Sequence, residues 1–252
     1  KFQEANMRLQ GKDAIVTGGG SGFGEGIVRK FVAEGAKVIV ADRDAANAQR
    51  VAEATGAVAL TVDVARAEDA KRMVDAAYER FGALDILVNN AGIGHLPQPL
   101  EGLAEDEFDR IVAVNMKAIY LAAREAVPRM KAAGRGVILN MASTAGVSPR
   151  PKLAWYNASK GWVITATRAM AVELAPFGIR VVALNPVAGE TPLLATFMGG
   201  DTPETRAKFL ATIPLGRFSR PEDLGNAACF LCSDEAAMIT GVAMEVDGGR
   251  CI

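Results

Sequence analysis

Seven short apolar runs alternate with segments of helical periodicity along the chain, and this alternation constrains the fold more than any other feature. The runs are 13–17, 37–41, 58–62, 84–88, 137–141, 180–184 and 243–246. After the first, Ile27, Val28, Phe31 and Val32 fall on one helical stripe that stops at Gly35; similar patterns cover 44–54, 68–80, 105–133, 155–174 and 221–233. Short apolar runs read as strands and the 3.6-residue stripes as helices. Strand and helix in alternation build a parallel sheet with right-handed crossovers. The chain has 252 residues, half of them hydrophobic, enough for one large α/β domain with a substantial core. We read 1–8 as a flexible N-terminal tail, 9–252 as a single domain, and 187–215 as a long insertion broken by prolines and glycines, of the kind that forms lids.

Polar motifs collect where the apolar runs end. The first leads into Gly18-Gly19-Gly20-Ser21-Gly22-Phe23-Gly24 and then a helix. Glycines let a backbone approach a phosphate closely, and a helix N-terminus offers unpaired N–H groups. The spacing, Gly18, Gly22 and Gly24, differs from the GxGxxG pattern. The second run ends at Asp42, about 20 residues beyond the glycines, where a dinucleotide-binding domain holds ribose hydroxyls; a helix-capping Asp42 or Asp44 is the plainer reading, and both roles can coexist. The third ends at Asp63-Val64, the fourth at Asn89-Asn90-Ala91-Gly92, the fifth before Ser143, and the sixth at Asn185-Pro186. Ligands of parallel sheets bind beyond the carboxyl ends of the strands.

Two helical segments carry unusual polar residues. Tyr156 and Lys160 are four apart and share a helix face. An ammonium held near a phenol favours phenolate, and a Tyr with a lowered pKa exchanges a proton with an alcohol or a carbonyl. Asn115 interrupts the apolar run Ile111-Val112-Ala113-Val114, and a mediocre helix former there asks for a reason.

Taken together and in order, Thr17-Gly18-x3-Gly22-x-Gly24, Asp63, Asn89-Asn90-Ala91-Gly92, Asn115, Ser143, Tyr156-x3-Lys160 and Asn185-Pro186 resemble the short-chain dehydrogenase/reductase family over about 9–249. The resemblance implies a Rossmann-like doubly wound sheet of about seven parallel strands with helices on both faces, a nicotinamide cofactor, and a catalytic tetrad of Asn115, Ser143, Tyr156 and Lys160. Tyr156 is expected as the acid/base, Lys160 as its activator and holder of the nicotinamide ribose, Ser143 as the donor to the substrate oxygen, and Asn115 as the holder of a water that links Lys160 to solvent. Cofactor contacts are expected from Gly18, Ser21, Gly22, Phe23 and Gly24, from Asp42 and Arg43 at the adenosine ribose, and from Asp63 and Val64 at the adenine. Asn89, Ala91, Gly92, Pro186, Val187 and Thr191, with Tyr156 and Lys160, complete the set. Many members place Gly after the Pro of Asn-Pro, whereas Val187 stands here. The family also implies a homotetramer in which the 105–133 and 153–175 helices pair across two-fold axes.

Asp42 decides the cofactor expected, which is NAD rather than NADP. Its carboxylate suits two ribose hydroxyls and would repel a 2′-phosphate, whereas Arg43 could clamp that phosphate. The leading function is NAD-dependent interconversion of a secondary alcohol and a ketone. An NADPH-using 3-oxoacyl-carrier-protein reductase is the alternative within the family, and a non-catalytic dinucleotide-binding redox sensor the alternative outside it. The pocket is expected from 93–96, 144–155 and 187–215, which suits a small or medium, fairly apolar substrate.

Other features bound the reading. A formal charge of −1 without a basic block gives no support for a nucleic-acid partner. No apolar run approaches the ~20 residues that span a bilayer. No signal peptide is visible, and Cys229, Cys232 and Cys251 form no disulfide framework, so the cytoplasm is the expected compartment. Cys229-x-x-Cys232 falls in an Ala- and Leu-rich helix and reads as core. His95 is the only histidine, which leaves no multi-His metal site, and no metal is expected. Arg124, Arg129, Lys131 and Arg135 read as a solvated helix face, with an acidic carrier protein as the sharper alternative.

Overall fold

The computed structural model describes residues 7–252. Its strands are β1 (Asp13–Thr17), β2 (Lys37–Asp42), β3 (Val58–Thr61), β4 (Ile86–Asn89), β5 (Gly136–Met141), β6 (Ile179–Pro186) and β7 (Ala243–Val246). They form one sheet, parallel at every pairing, in the order β3-β2-β1-β4-β5-β6-β7. The order reverses between β1 and β4, and that switch point opens a crevice at the carboxyl ends of the strands. The fold is the Rossmann-like α/β domain expected.

The central strands β1, β4, β5 and β6 are buried along nearly their whole length because both faces are covered. In β1, Ala14 and Val16 pack with α1 (Gly22–Ala33), α2 (Ala45–Thr55) and α9 (Pro221–Cys232), while Ile15 faces α3 (Ala67–Phe81) and the long helices beyond it. Two of those helices are α5 (Ala118–Ala133) and α6 (Ala154–Leu174). Against α1, α9 packs through glycines: a Cβ on Gly26 would lie 2.2 Å from the Pro221 carbonyl oxygen. Cys229 and Cys232 are buried in α9, where burial pushes both thiols up, so their spacing belongs to the core.

Three expectations shift. The stretch 105–133 is not one regular helix: α4 (Glu105–Ile111) passes into a turn of π-helix, Val112–Lys117, before α5. The insertion 187–215 is partly helical, with α7 (Leu194–Met198) and α8 (Pro203–Leu210), the latter started by a Thr202–Thr205 capping box. Of the expected tail 1–8, residues 1–6 lie outside the described residues. Arg8 is docked, its N–H donating to Glu34 and its guanidinium to Glu235, and Leu9 beside it is fully buried.

Three of the four residues of the basic run have a carboxylate beside them. Arg129 pairs with Asp75, Arg135 with Asp85, Arg124 lies 3.8 Å from Glu125, and Lys131 sits over the Phe177 ring. Among the described residues no helix is long and apolar enough to cross a membrane, and none of them form a group of three or more His, Cys, Asp or Glu placed to hold a metal ion.

Candidate active site

The glycine turn between β1 and α1 forms one end of the cleft. Gly18 and Gly22 have φ of +62° and +53°, a region that disfavours side chains. Gly24 lies inside the first turn of α1, and a Cβ there would stand 2.0 Å from the Gly18 carbonyl oxygen. The turn is tied to β4: Asn90 Nδ2 donates to the Thr17 and Gly18 carbonyls, and Thr17 Oγ1 accepts from the N–H groups of Asn90 and Ala91. Asp42 closes the far side. Its carboxylate accepts from Gly20 N at 2.9 Å and Asp44 N at 3.0 Å, which fixes both oxygens at the turn. Asp44, not Asp42, caps α2, through Asn47 N.

From this end a cleft of about 360 Å³ runs along the carboxyl ends of the strands. Its wall includes Gly18, Ser21, Gly22, Phe23, Asp42, Arg43, Asp63, Val64, Ala91, Gly92, Pro186, Val187 and Thr191, all expected from the sequence. Asn89 is not among them. Its side chain turns to the face of the sheet covered by α6 and donates to Asn140 Oδ1, which begins a buried chain through Asn140 Nδ2 to Thr167 Oγ1. Successive side chains of a strand face opposite ways. Asn89 therefore braces β4 against β5, and Asn90 takes the place on the cleft wall.

Tyr156, Ser143 and Lys160 meet at the other end, all buried. Lys160 Nζ donates to the Met141 carbonyl at 2.8 Å and lies 5.9 Å from the centre of the Tyr156 ring. Burial pushes the Tyr156 phenol up to about 12, against the opposite pull of the Ser143 hydroxyl, and pushes the Lys160 ammonium down to about 8. The expected lowering of the phenol by Lys160 is thus absent from the protein alone: desolvation of the phenolate governs, and only the Ser143 hydroxyl opposes it.

Asn115 lies in the π-helical turn. Its side chain pairs with the Ile93 backbone, accepting from N and donating to O at 2.9 Å each, and donates to Ser159 Oγ at 3.0 Å. A Cβ on Gly92 would lie 3.4 Å from Lys160 Nζ and 3.5 Å from Asn115 Oδ1, so Gly92 separates the two. Turns of π-helix often mark functional positions, and this one locates a polar residue whose sequence context is apolar. Phe197, foreseen only as a pocket liner, packs its ring 4.7 Å from that of Tyr156. It also fills the space beside Gly94. His95 is buried outside the cleft wall, with Nδ1 2.8 Å from the Leu96 carbonyl.

The cleft fits a nicotinamide dinucleotide. A glycine-rich turn leads to the N-terminus of α1, a fixed carboxylate lies 22 positions after Gly20, and a buried Tyr, Ser and Lys stand at the far end. Together the sheet order and this site define a dinucleotide-dependent oxidoreductase of Rossmann type. The chain belongs to the short-chain dehydrogenase/reductase family: a family model described as enoyl-(acyl carrier protein) reductase matches residues 18–250. A 4-formylbenzenesulfonate dehydrogenase of Comamonas testosteroni is 48% identical across 98% of this chain and all of its own length. Among solved structures, a 3-ketoacyl-(acyl-carrier-protein) reductase from Brucella melitensis complexed with NADH is 55% identical with a TM-score of 0.92, over 97% of this chain and 100% of the other. A 7α-hydroxysteroid dehydrogenase complexed with NADH and 7-oxo glycochenodeoxycholic acid is 34% identical with a TM-score of 0.92, over 99% and 98%. These relatives are oxidoreductases of dissimilar substrates, and this chain shares their fold and enzyme class.

The depressed Lys160 gives a stability prediction. A Lys whose folded pKa lies below its unfolded value destabilises the fold while it is charged, and stability recovers as pH rises from about 8 towards the unfolded value near 10.4. Replacing Lys160 with Met removes that dependence and leaves the Met141 carbonyl without its donor. Denaturant unfolding at pH 7 and pH 10 is expected to show wild type gaining on Lys160→Met at the higher pH. A constant difference between the two proteins would contradict the assignment.

Proposed function

We propose that this protein interconverts a secondary alcohol and a ketone with NAD(H), and that Tyr156 moves the proton. The observation that supports this most is the convergence of Tyr156, Ser143 and Lys160 at the closed end of a cleft whose other end suits a dinucleotide. When bound in oxidised form, the nicotinamide supplies the hydride acceptor and a fixed positive charge. Tyr156 then takes the hydroxyl proton, Ser143 donates to the substrate oxygen as charge develops on it, and Lys160 holds the ribose and favours the phenolate. Asn115, its side chain clamped on Ile93 and Ser159, would hold the water that links Lys160 to solvent and takes the proton out. Arg43 and Asp42 receive the adenosine ribose, and Asp63 and Val64 the adenine.

NAD preference rests on Asp42. At ~4 Å and an effective dielectric of ~20, one like-charge pair with a 2′-phosphate costs about 4 kcal/mol before screening. A third of that is a factor of about 10 in binding. The fixed carboxylate cannot turn away without releasing Gly20 N and Asp44 N. The ratio of kcat/KM for NAD(H) over NADP(H), measured on one substrate, is therefore expected to exceed ten, and Asp42→Ala to lower it at least several-fold. A ratio at or below one would place Arg43 in control. Similarity to a carrier-protein reductase at 55% identity makes 3-oxoacyl reduction the second reading; the local pairing of the basic run argues against a docked acidic carrier.

A homotetramer belongs to the same proposal. The helices α5 and α6 leave Tyr120, Trp162 and Val172 exposed, Val172 at 81%, and apolar groups so placed suit helix pairing across two-fold axes. Light scattering at micromolar concentration is expected to give four chains per particle; a monomer would contradict it. The free cysteines suit a reducing compartment, and we assign the enzyme to the cytoplasm.

A further inference from the structure

Besides Lys160, the substrate end of the cleft carries a cation that the proposed chemistry does not use. Arg150 lies in the loop before α6, and that loop is held in place from two sides. Asn157 Nδ2 donates to the Arg150 carbonyl at 2.7 Å, and Gln98 N donates to the Lys152 carbonyl at 2.9 Å. Lys152 has a φ of +66°, the one non-glycine among the described residues in the left-handed region; strain of this kind collects at functional sites. The Arg150 side chain lines the cleft with Tyr156, Ser143 and Leu153. Its guanidinium lies 4.1 Å from the centre of the Phe209 ring and donates to Thr212 Oγ1 at 3.1 Å.

What this guanidinium lacks is an anion. Among the described residues no carboxylate forms an ion pair with Arg150, and the charged group that acts on it is another cation, Arg250. Arg250 donates to Ser148 Oγ at 3.2 Å, while its Nε is buried without a partner. The carboxylates on the cleft wall, Asp42 and Asp63, belong to its other end. A partly buried Arg stays charged and presents a planar fork of donors that matches an oxyanion. Two such groups together without a counter-ion are costly unless a ligand supplies one. Beside Arg150 and Tyr156 the wall also presents apolar groups, Leu153, Phe197 and Phe209.

We propose that Arg150, supported by Arg250, receives a carboxylate or sulfonate carried on the apolar body of the substrate, while the hydroxyl or carbonyl of that substrate lies at Tyr156. The inference rests on the reading of the cleft as an alcohol–carbonyl site and names the substrate class for it: secondary alcohols, or the matching ketones, that bear one oxyanion.

The test uses the full-length enzyme with NAD and three matched alcohols: 1-phenylethanol, 4-(1-hydroxyethyl)benzoate and 4-(1-hydroxyethyl)benzenesulfonate. Wild type is expected to favour at least one anionic alcohol over the neutral one by tenfold or more in kcat/KM, mostly through KM. Arg150→Met is expected to cut that ratio at least tenfold, and Arg150→Lys to keep part of it. The order of the two anionic alcohols separates carboxylate from sulfonate. Calorimetry of benzoate and benzenesulfonate against the enzyme with NADH reads the same site without turnover, and Arg150→Met is expected to weaken the binding at least tenfold. A wild-type ratio at or below one, a ratio unchanged in Arg150→Met while all three alcohols slow together, or failure of both anions to bind would overturn the proposal. Anion binding intact with no alcohol turned over would contradict the reaction proposed above and leave the anion site standing.

Discussion

Gly24→Ala is expected to weaken NAD(H) binding by about 10- to 100-fold. The new Cβ would lie 2.0 Å from the Gly18 carbonyl oxygen and 2.6 Å from Asn90 Nδ2. The first neighbour is backbone, so no rotamer change relieves the contact, and the turn from Thr17 to α1 must open. Overpacking of this kind costs about 1–3 kcal/mol, and each 1.4 kcal/mol that reaches the binding equilibrium is about tenfold. Opening the turn also breaks the hydrogen bonds from Asn90 to the Thr17 and Gly18 carbonyls, which hold β1 to β4 at the switch point. Isothermal titration with NADH gives the affinity, and circular dichroism checks that the sheet is retained. Wild-type affinity in a folded variant would mean that the turn does not cradle the cofactor.

Tyr156→Phe carries the larger effect, a loss of about 10²–10⁴-fold in kcat, the range that general acid–base catalysis supplies. The ring is buried against Phe197 at 4.7 Å, and Phe fills the same space. Only the hydroxyl is lost, so folding and cofactor affinity are expected to stay within a factor of a few of wild type. The phenol of the protein alone is held up at about 12 by burial. An oxidised nicotinamide bound beside it would add the positive charge that favours phenolate, and alcohol oxidation is then expected to rise with pH more steeply than ketone reduction. A Tyr156→Phe enzyme within a factor of a few of wild type would remove the tetrad from the account. It would also favour a sensor that needs no phenol.

The sheet and the two ends of the cleft were legible because their signals are local. A strand buried on both faces shows as an unbroken apolar run, as in β1. Tyr156 and Lys160 share a face by helical spacing alone. The glycine turn declared itself through residues that only a close backbone approach requires. What was missed depends on contacts distant in sequence. Asn89 and Asn90 are chemically identical neighbours, and only the course of the chain at the end of β4 turns one towards α6 and the other to the glycine turn. The π-helical turn at Asn115 is paired with the backbone of Ile93, 22 residues earlier, and no local pattern encodes that pairing. Helical spacing puts Lys160 near Tyr156, but the phenol is governed by burial, a property of the whole fold, and Lys160 does not lower it in the protein alone. Two features had a signal that could have been used. Thr202-Pro203-x-Thr205 is a helix start that announces α8 within the supposed loop, and Leu9 is an apolar residue in a polar stretch, which suits the docked position it occupies.

The central claim is that this cleft moves a hydride between a carbinol carbon and a nicotinamide with Tyr156 moving the proton. The most direct measurement uses a secondary alcohol deuterated at the carbinol carbon, incubated with NAD and enzyme in ordinary water, with the mass of the reduced cofactor as the readout. One deuterium is expected in every reduced cofactor formed by wild type, and product formation is expected to slow at least a hundredfold in Tyr156→Phe. Reduced cofactor without deuterium, or labelled cofactor formed at an undiminished rate by Tyr156→Phe, would contradict that claim.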